Sequence, residues 1–220
     1  MISKGESLGS SVRRPATEAF LSNLSRAIHA AAQPLTILRC SLSKDQADRM
    51  SLVELRGLAA ASAMEIERVC SYFNFLQQFV ASESLKPQLS AMRIAPLVSY
   101  ATDGFNLLFE GDGIFLRSMV ADSCQSVMID RARTLQALSS VMLVAHGVSH
   151  VGDTIEVIVS TPSSLVVRIV VSNAHSYSEA MNEDACLRMA LAETSIRSQQ
   201  GTLSWCLKPF RVQIEFDQAS

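Results

Sequence analysis

Apolar residues recur along the first third of the chain with helical spacing. Phe20, Leu24, Ile28, Ala31, Leu35, Leu38 and Leu42 step by fours and threes, which predicts one amphipathic helix over residues 16–43. The polar run Ser43–Arg49 reads as a turn. A second stripe, Leu55, Ala59, Ser62, Ile66, Val69, Phe73, Leu76 and Val80, predicts another helix over 51–82, which Gly57 weakens only slightly. Two long helices joined by a short polar loop make an antiparallel hairpin. One hairpin cannot bury two wide stripes. Pairing two copies into a four-helix bundle across a two-fold axis would cover them.

The pattern changes near Ser84–Pro87. Beyond it, Met92–Ile94 reads as a short strand, Pro96–Phe109 as a helix and Gly113–Val120 as a strand. Asp130–His150 reads as a long helix rich in Leu, Val and Ala. Thr154–Ser160 and Leu165–Ser172 form a predicted hairpin. Asn182–Gln199 is a predicted helix closed by Gly201 as C-cap. Leu203–Leu207 and Arg211–Phe216 form a last hairpin around Lys208–Pro209. The order β-α-β-α-β-β-α-β-β predicts helices on one face of a mixed sheet. The fold class is therefore α+β: a helical hairpin, then an α/β sandwich. The expected division is a disordered tail over 1–15, the hairpin over 16–86 and the sandwich over 87–220.

Composition narrows the function. The 220 residues are 48% hydrophobic and only 18% charged, against about 25% charged in an ordinary soluble domain. That poverty of charge suits a chain that hides apolar surface in an oligomer. A net charge of −2 does not point to nucleic acid. No apolar run reaches the ~20 residues needed to span a bilayer, and Met1–Pro15 has no apolar core of a signal peptide. The expectation is a cytoplasmic protein. Cysteines 40, 70, 124, 186 and 206 show no CxxC spacing, which argues against a zinc site or disulfide framework. Cys40 and Cys70 read as small core residues, as does Trp205 in its strand. His146 and His150, four apart, lack a clear third ligand for a metal. Nine glycines fall well under the usual ~7%.

The segment carrying chemistry is His29-Ala-Ala-Ala-Gln33-Pro34-Leu35-Thr36. His29 falls one residue off the apolar stripe, with Ser22, Ser25, Arg26 and Gln33 near it at helical spacings. It belongs on a polar flank, where an imidazole of near-neutral pKa is nucleophilic at nitrogen and can carry a phosphoryl group. Pro34 removes one helical hydrogen bond and kinks the helix. The plainer reading of each residue is a solvated helix histidine, a surface glutamine and an exposed arginine.

HAAAQPLTIL resembles the phosphoacceptor box of sensor histidine kinases, where His is followed by an acidic residue and, five residues on, by Pro-Leu. The resemblance covers residues 16–217 in element order, and implies that the second domain is similar to the kinase ATP-binding domain. The departures matter more. The acidic position is Ala30. The asparagines that hold Mg²⁺ in the family fall at Ser140 and Val144, and a branched alkyl group cannot ligate Mg²⁺. The adenine-reading Asp-x-Gly-x-Gly loop falls at Ser172–Ser176, without its aspartate or glycines. The Gly-rich phosphate loop falls within Ser178–Leu187, which has no glycine and three carboxylates. Backbone cradles for phosphate are missing.

The expected function is therefore a histidine phosphotransferase of a two-component phosphorelay. His29 is the expected phosphoacceptor, with Gln33 and Arg26 beside it, and Ile37 and Arg39 are expected to dock response regulator receiver domains. The expectation includes a homodimer, no cofactor or metal of its own (Mg²⁺ belonging to the receiver), no nucleic acid and no membrane. The alternative is a non-catalytic, pseudokinase-like adaptor that binds receivers or kinases. An ATP-dependent autokinase is the third reading.

Overall fold

The computed structural model describes residues 14–41, 51–121, 126–163, 166–175 and 181–218, without side-chain detail at 14–20 and 41. The predicted tail, apart from its last two residues, and the polar turn at 43–49 lie outside the described residues, as do Cys124 and Ser176. The chain forms two compact units, Met1–Leu76 and Gln77–Ser220. The second begins ahead of the 86/87 boundary read from the sequence. The cause is helix α2: its last two turns are held by residues of the α/β unit, described below.

The first unit is built from α1 (Arg14–Ser41) and most of α2 (Leu52–Ser84). Ser51 starts α2 as a reciprocal cap. Its backbone N–H donates to Glu54 Oε2 at 2.7 Å and the Glu54 N–H donates to Ser51 Oγ at 3.4 Å, so two orphan donors of the first turn are satisfied. Each predicted stripe divides in two. On α1, Ala31 and Leu38 are buried and Leu24 half-buried, whereas Leu21, Ile28 and Leu35, seven residues apart, are exposed. On α2, Val69, Tyr72 and Phe75 are buried, while Leu55, Ile66, Phe73 and Val80 are exposed. Each helix thus has one buried face and a second apolar seam left exposed.

The second unit adds β1 (Ser90–Arg93), α3 (Ile94–Gly111), β2 (Phe115–Val120), β3 (Ser126–Ile129), α4 (Arg131–Gly147), β4 (Thr154–Ser163), β5 (Val166–Asn173), α5 (Glu183–Arg197), β6 (Thr202–Leu207) and β7 (Phe210–Asp217). The sequence reading missed β3, a four-residue strand too short to show period-two alternation. It pairs antiparallel with β1, Ser90 opposite Ile129. The main sheet runs β2-β4-β5-β7-β6, with β2 parallel to β4 and the other pairs antiparallel. Alternate residues form apolar rows across it: Val157, Val171, Val212 and Trp205 in one, Val159, Ile169, Ile214 and Leu203 in the next. These rows share one core with Leu97, Val98 and Phe109 of α3, Leu138 and Val141 of α4, and Met189 and Ile196 of α5. Three helices therefore cover one face of a mixed sheet, as the α+β reading required.

Trp205 departs from expectation. It points with a core row, but β6 is the sheet edge and leaves it 44% exposed. Cys40 and Cys70 are exposed as well, because each lies a helical step of about 100° away from the buried face. At the end of α5 the left-handed residue is Gln200 (φ 65), rather than Gly201. Gly201 N–H bonds Ile196 O at 3.1 Å and Gln200 N–H bonds Arg197 O at 3.0 Å, the pairing of a Schellman close. Gly201 is required for space: a Cβ there would stand 2.8 Å from both Ile196 Cγ2 and Phe216 Cε1. Gly201→Ala should therefore cost about 1–3 kcal/mol through overpacking, read as a lowered urea midpoint with unchanged slope. An unchanged midpoint would show that the neighbours yield freely.

Candidate functional site

The α1 segment around His29 is organised by helical arithmetic. At about 100° per residue, Arg26, His29, Gln33 and Ile37 fall on one arc. All four are exposed. The neighbouring arc, Ala27, Ala30, Ala31, Pro34 and Leu38, is buried. A third arc holds the exposed seam Leu21, Ile28 and Leu35. Arg39 falls on this seam side. The helix therefore brings together four of the five expected site residues and separates the fifth.

Two buried positions explain the local sequence. Ala30, where the resemblance implies an acidic residue, is 1% exposed. A carboxylate there would face desolvation, whereas a methyl packs without cost. Pro34 lies inside the helix and has no N–H for the Ala30 carbonyl a turn earlier. The Thr36 hydroxyl donates to Ala32 O at 2.9 Å, so it is engaged with its own helix. The exposed arc has a nucleophilic imidazole, an amide one turn on and a guanidinium one turn back. It has no carboxylate among its four members.

The positions where the resemblance implies nucleotide contacts lie in the second unit. Val144 and Ser140 on α4 are both buried. Val144 offers no oxygen to a cation. Asn173 occupies an apolar row between Ile155 and Phe210 and is fully buried. Its amide donates to Ser149 Oγ and to Asp153 Oδ2, each at 2.9 Å, while its oxygen accepts from the His175 N–H at 2.9 Å. Each polar atom of this side chain has a protein partner, so it has little left with which to read a base. The recess lined by Leu143, Val144, Met181, Asn182 and Arg188 has a volume near 160 Å³, below the ~300–1,000 Å³ of ordinary ligand sites. Arg188 Nε donates to Asp184 Oδ2 at 2.6 Å beside it. A second recess of about 750 Å³ adjoins the first, sharing Leu143 and Arg188 and lined also by Ser140 and Arg133. Part of the implied phosphate loop, 178–180, lies outside the described residues.

His146 and His150 do not share a helix face, because α4 ends at Gly147. His146 Nε2 lies 2.7 Å from Asp112 Oδ2 and its ring meets Phe109 edge-on at 5.2 Å. The backbone N–H of His150 donates to Asp153 Oδ2 at 2.9 Å. Among the described residues no group of three His, Cys, Asp or Glu side chains can hold a metal ion.

With this geometry established, comparison with known proteins identifies the fold. The sequence matches no protein-family model and no curated protein. Solved structures do match. The Acinetobacter baumannii histidine kinase AdeS aligns at a TM-score of 0.65 and 16% identity, over 87% of this chain and 97% of that one. Histidine kinase ThkA, in its complex with the response regulator TrrA, aligns at 0.73 and 12% identity, over 94% of this chain and 64% of that one. A histidine kinase from Burkholderia phymatum aligns at 0.53 and 15% identity, over 89% and 99%. The chain has the fold of a histidine kinase.

The Asp153 carboxyl is held below the usual aspartate range, first by the Asn173 amide and then by the His150 N–H. A depressed pKa stabilises the fold above the ordinary value of about 3.9 and loses that contribution as pH falls through the lower folded value. Asn173→Ala should raise the Asp153 midpoint in a carboxyl NMR titration and shift the onset of acid unfolding to higher pH. An unmoved midpoint would assign the depression to another donor.

Proposed function

We propose that the chain is a histidine phosphotransferase of a two-component phosphorelay, working through His29 and without ATP. An imidazole nitrogen of His29 attacks the phosphorus of an aspartyl phosphate on one receiver domain. The P–O bond to the aspartyl carboxylate breaks, an N–P bond forms, and the ring N–H proton passes to solvent. The reverse step on a second receiver releases the histidine. The receiver supplies the acyl phosphate and its Mg²⁺, so this chain needs an accessible imidazole and a docking surface. The observation that carries the reading is the exposed arc of Arg26, His29, Gln33 and Ile37 on a helix of a histidine kinase fold.

Further support comes from three directions. ThkA is a histidine kinase solved with a response regulator, which favours receiver domains as partners here. Val144 and Asn173, both buried, favour a phosphoryl donor other than ATP. The exposed seams, Leu21, Ile28 and Leu35 on α1 with Ile66, Phe73 and Val80 on α2, favour a homodimer. No described helix is long and apolar enough to cross a membrane, which is compatible with a cytoplasmic site of action. In the docking surface we retain Ile37. Arg39 belongs with the seam, where it would lie at the dimer edge. The absence of a carboxylate from the His29 arc favours the second reading, an adaptor that binds receivers or kinases without chemistry.

One pair of reactions separates these readings. The protein is incubated with a phosphorylated receiver and, separately, with ATP, and acid-labile phosphate is measured on it. Uptake from the receiver alone is expected; uptake from neither favours the adaptor, and labelling by ATP overturns the reading. His29→Gln should abolish uptake while changing stability by no more than about 0.5 kcal/mol, as at other exposed positions. Receiver binding should persist, and His146→Gln, His150→Gln and His175→Gln should keep full uptake. Phosphate retained by the His29→Gln protein would place the acceptor elsewhere.

Ile66→Glu and Phe73→Glu should give monomeric or insoluble protein, because each puts a charge into an apolar seam. Light scattering that finds the unaltered chain monomeric would remove the homodimer.

A further inference from the structure

The C-terminus of α2 has the wrong charge for its dipole. A helix leaves its last four carbonyls without intrahelical donors, and that end favours a cation. The last turn of α2 contains Glu83 and no basic residue. The Leu85 N–H still reaches the Ala81 carbonyl at 3.0 Å, and further donors arrive from α4. Arg133, 8% exposed, extends its guanidinium to the carbonyls of Ser82 at 3.0 Å, Ala81 at 3.5 Å and Leu85 at 2.6 Å. It also donates to Ser198 Oγ at 2.6 Å beyond the end of α5. Asp130 Oδ2 lies 3.7 Å from Arg133 Nε and accepts from the Gln88 N–H at 2.8 Å, so the charge pair also pins the connector that follows α2. Ser82 Oγ meets Ser195 Oγ at 3.3 Å, and Arg197 reaches Glu83 at 3.4 Å on the surface.

We infer that Arg133 is a positioning residue that caps α2 from outside, and that anchoring the end of this helix is a task the α/β unit performs. The cap is non-local: its donors come from about fifty residues further along the chain. A planar five-donor fork satisfies several carbonyls at once and keeps its charge when buried, which a lysine cannot reproduce. The inference goes beyond phosphotransfer and holds whether or not His29 is phosphorylated. It assigns the α/β unit a mechanical role: α2 is one continuous helix, and its end does not fray while the guanidinium holds it.

The test is hydrogen exchange on the full chain, read by mass spectrometry over peptides covering residues 77–86. In Arg133→Met the amides of the last turn should exchange at least about tenfold faster, as expected of a locally frayed end, while β4, β5 and β7 keep their protection. Arg133→Lys should fall between, and Arg197→Ala should match the unaltered protein. Unchanged exchange at 77–86 would overturn the inference, as would an Arg197→Ala effect equal to that of Arg133→Met. Should Arg133→Met fail to fold, Arg133→Lys decides. A rise confined to 77–86 supports the cap, and a rise spread evenly over the α/β unit overturns it.

Discussion

A buried charge must be answered by the groups around it, and in this protein that requirement falls on Asp130 and Arg133. Both are nearly buried at the start of α4. The carboxylate caps α4 through the N–H groups of Ala132 and Arg133 and holds Gln88. The N–H of Asp130 donates to Gln199 Oε1 at 2.7 Å, which also takes the Thr134 hydroxyl. The ends of α2, β3 and α5 thus meet at one polar knot. Removing one member of such a pair leaves an uncompensated charge in a low-dielectric interior.

The same economy governs α1. Three arcs of one helix serve three purposes: an inner face of small residues, an apolar seam and a polar arc holding His29. The buried members near His29 are small: Ala27, Ala30 and Ala31.

In the α/β unit, Asn173, Ser149 and Asp153 form a closed hydrogen-bonded set. A buried amide in an apolar row is costly unless its donors and acceptor are used, and here all are used internally. Around this set the sheet rows and three helices form one core.

The two long helices and, apart from one strand, the sequence of helices and strands after residue 90 were legible in the chain itself. They rest on local periodicity, capping residues and side-chain type, which neighbours in sequence determine. The strand Ser126–Ile129 was not legible, because its identity depends on pairing with Ser90–Arg93. The exposure of Trp205 depended on β6 being an edge. The role of Arg133 was hidden for the same reason. As a sequence it is one arginine near the start of a helix, and only the fold brings the carbonyls of Ala81, Ser82 and Leu85 within reach of its guanidinium. Local pattern sets what each segment can be; long-range pairing and burial decide which groups meet.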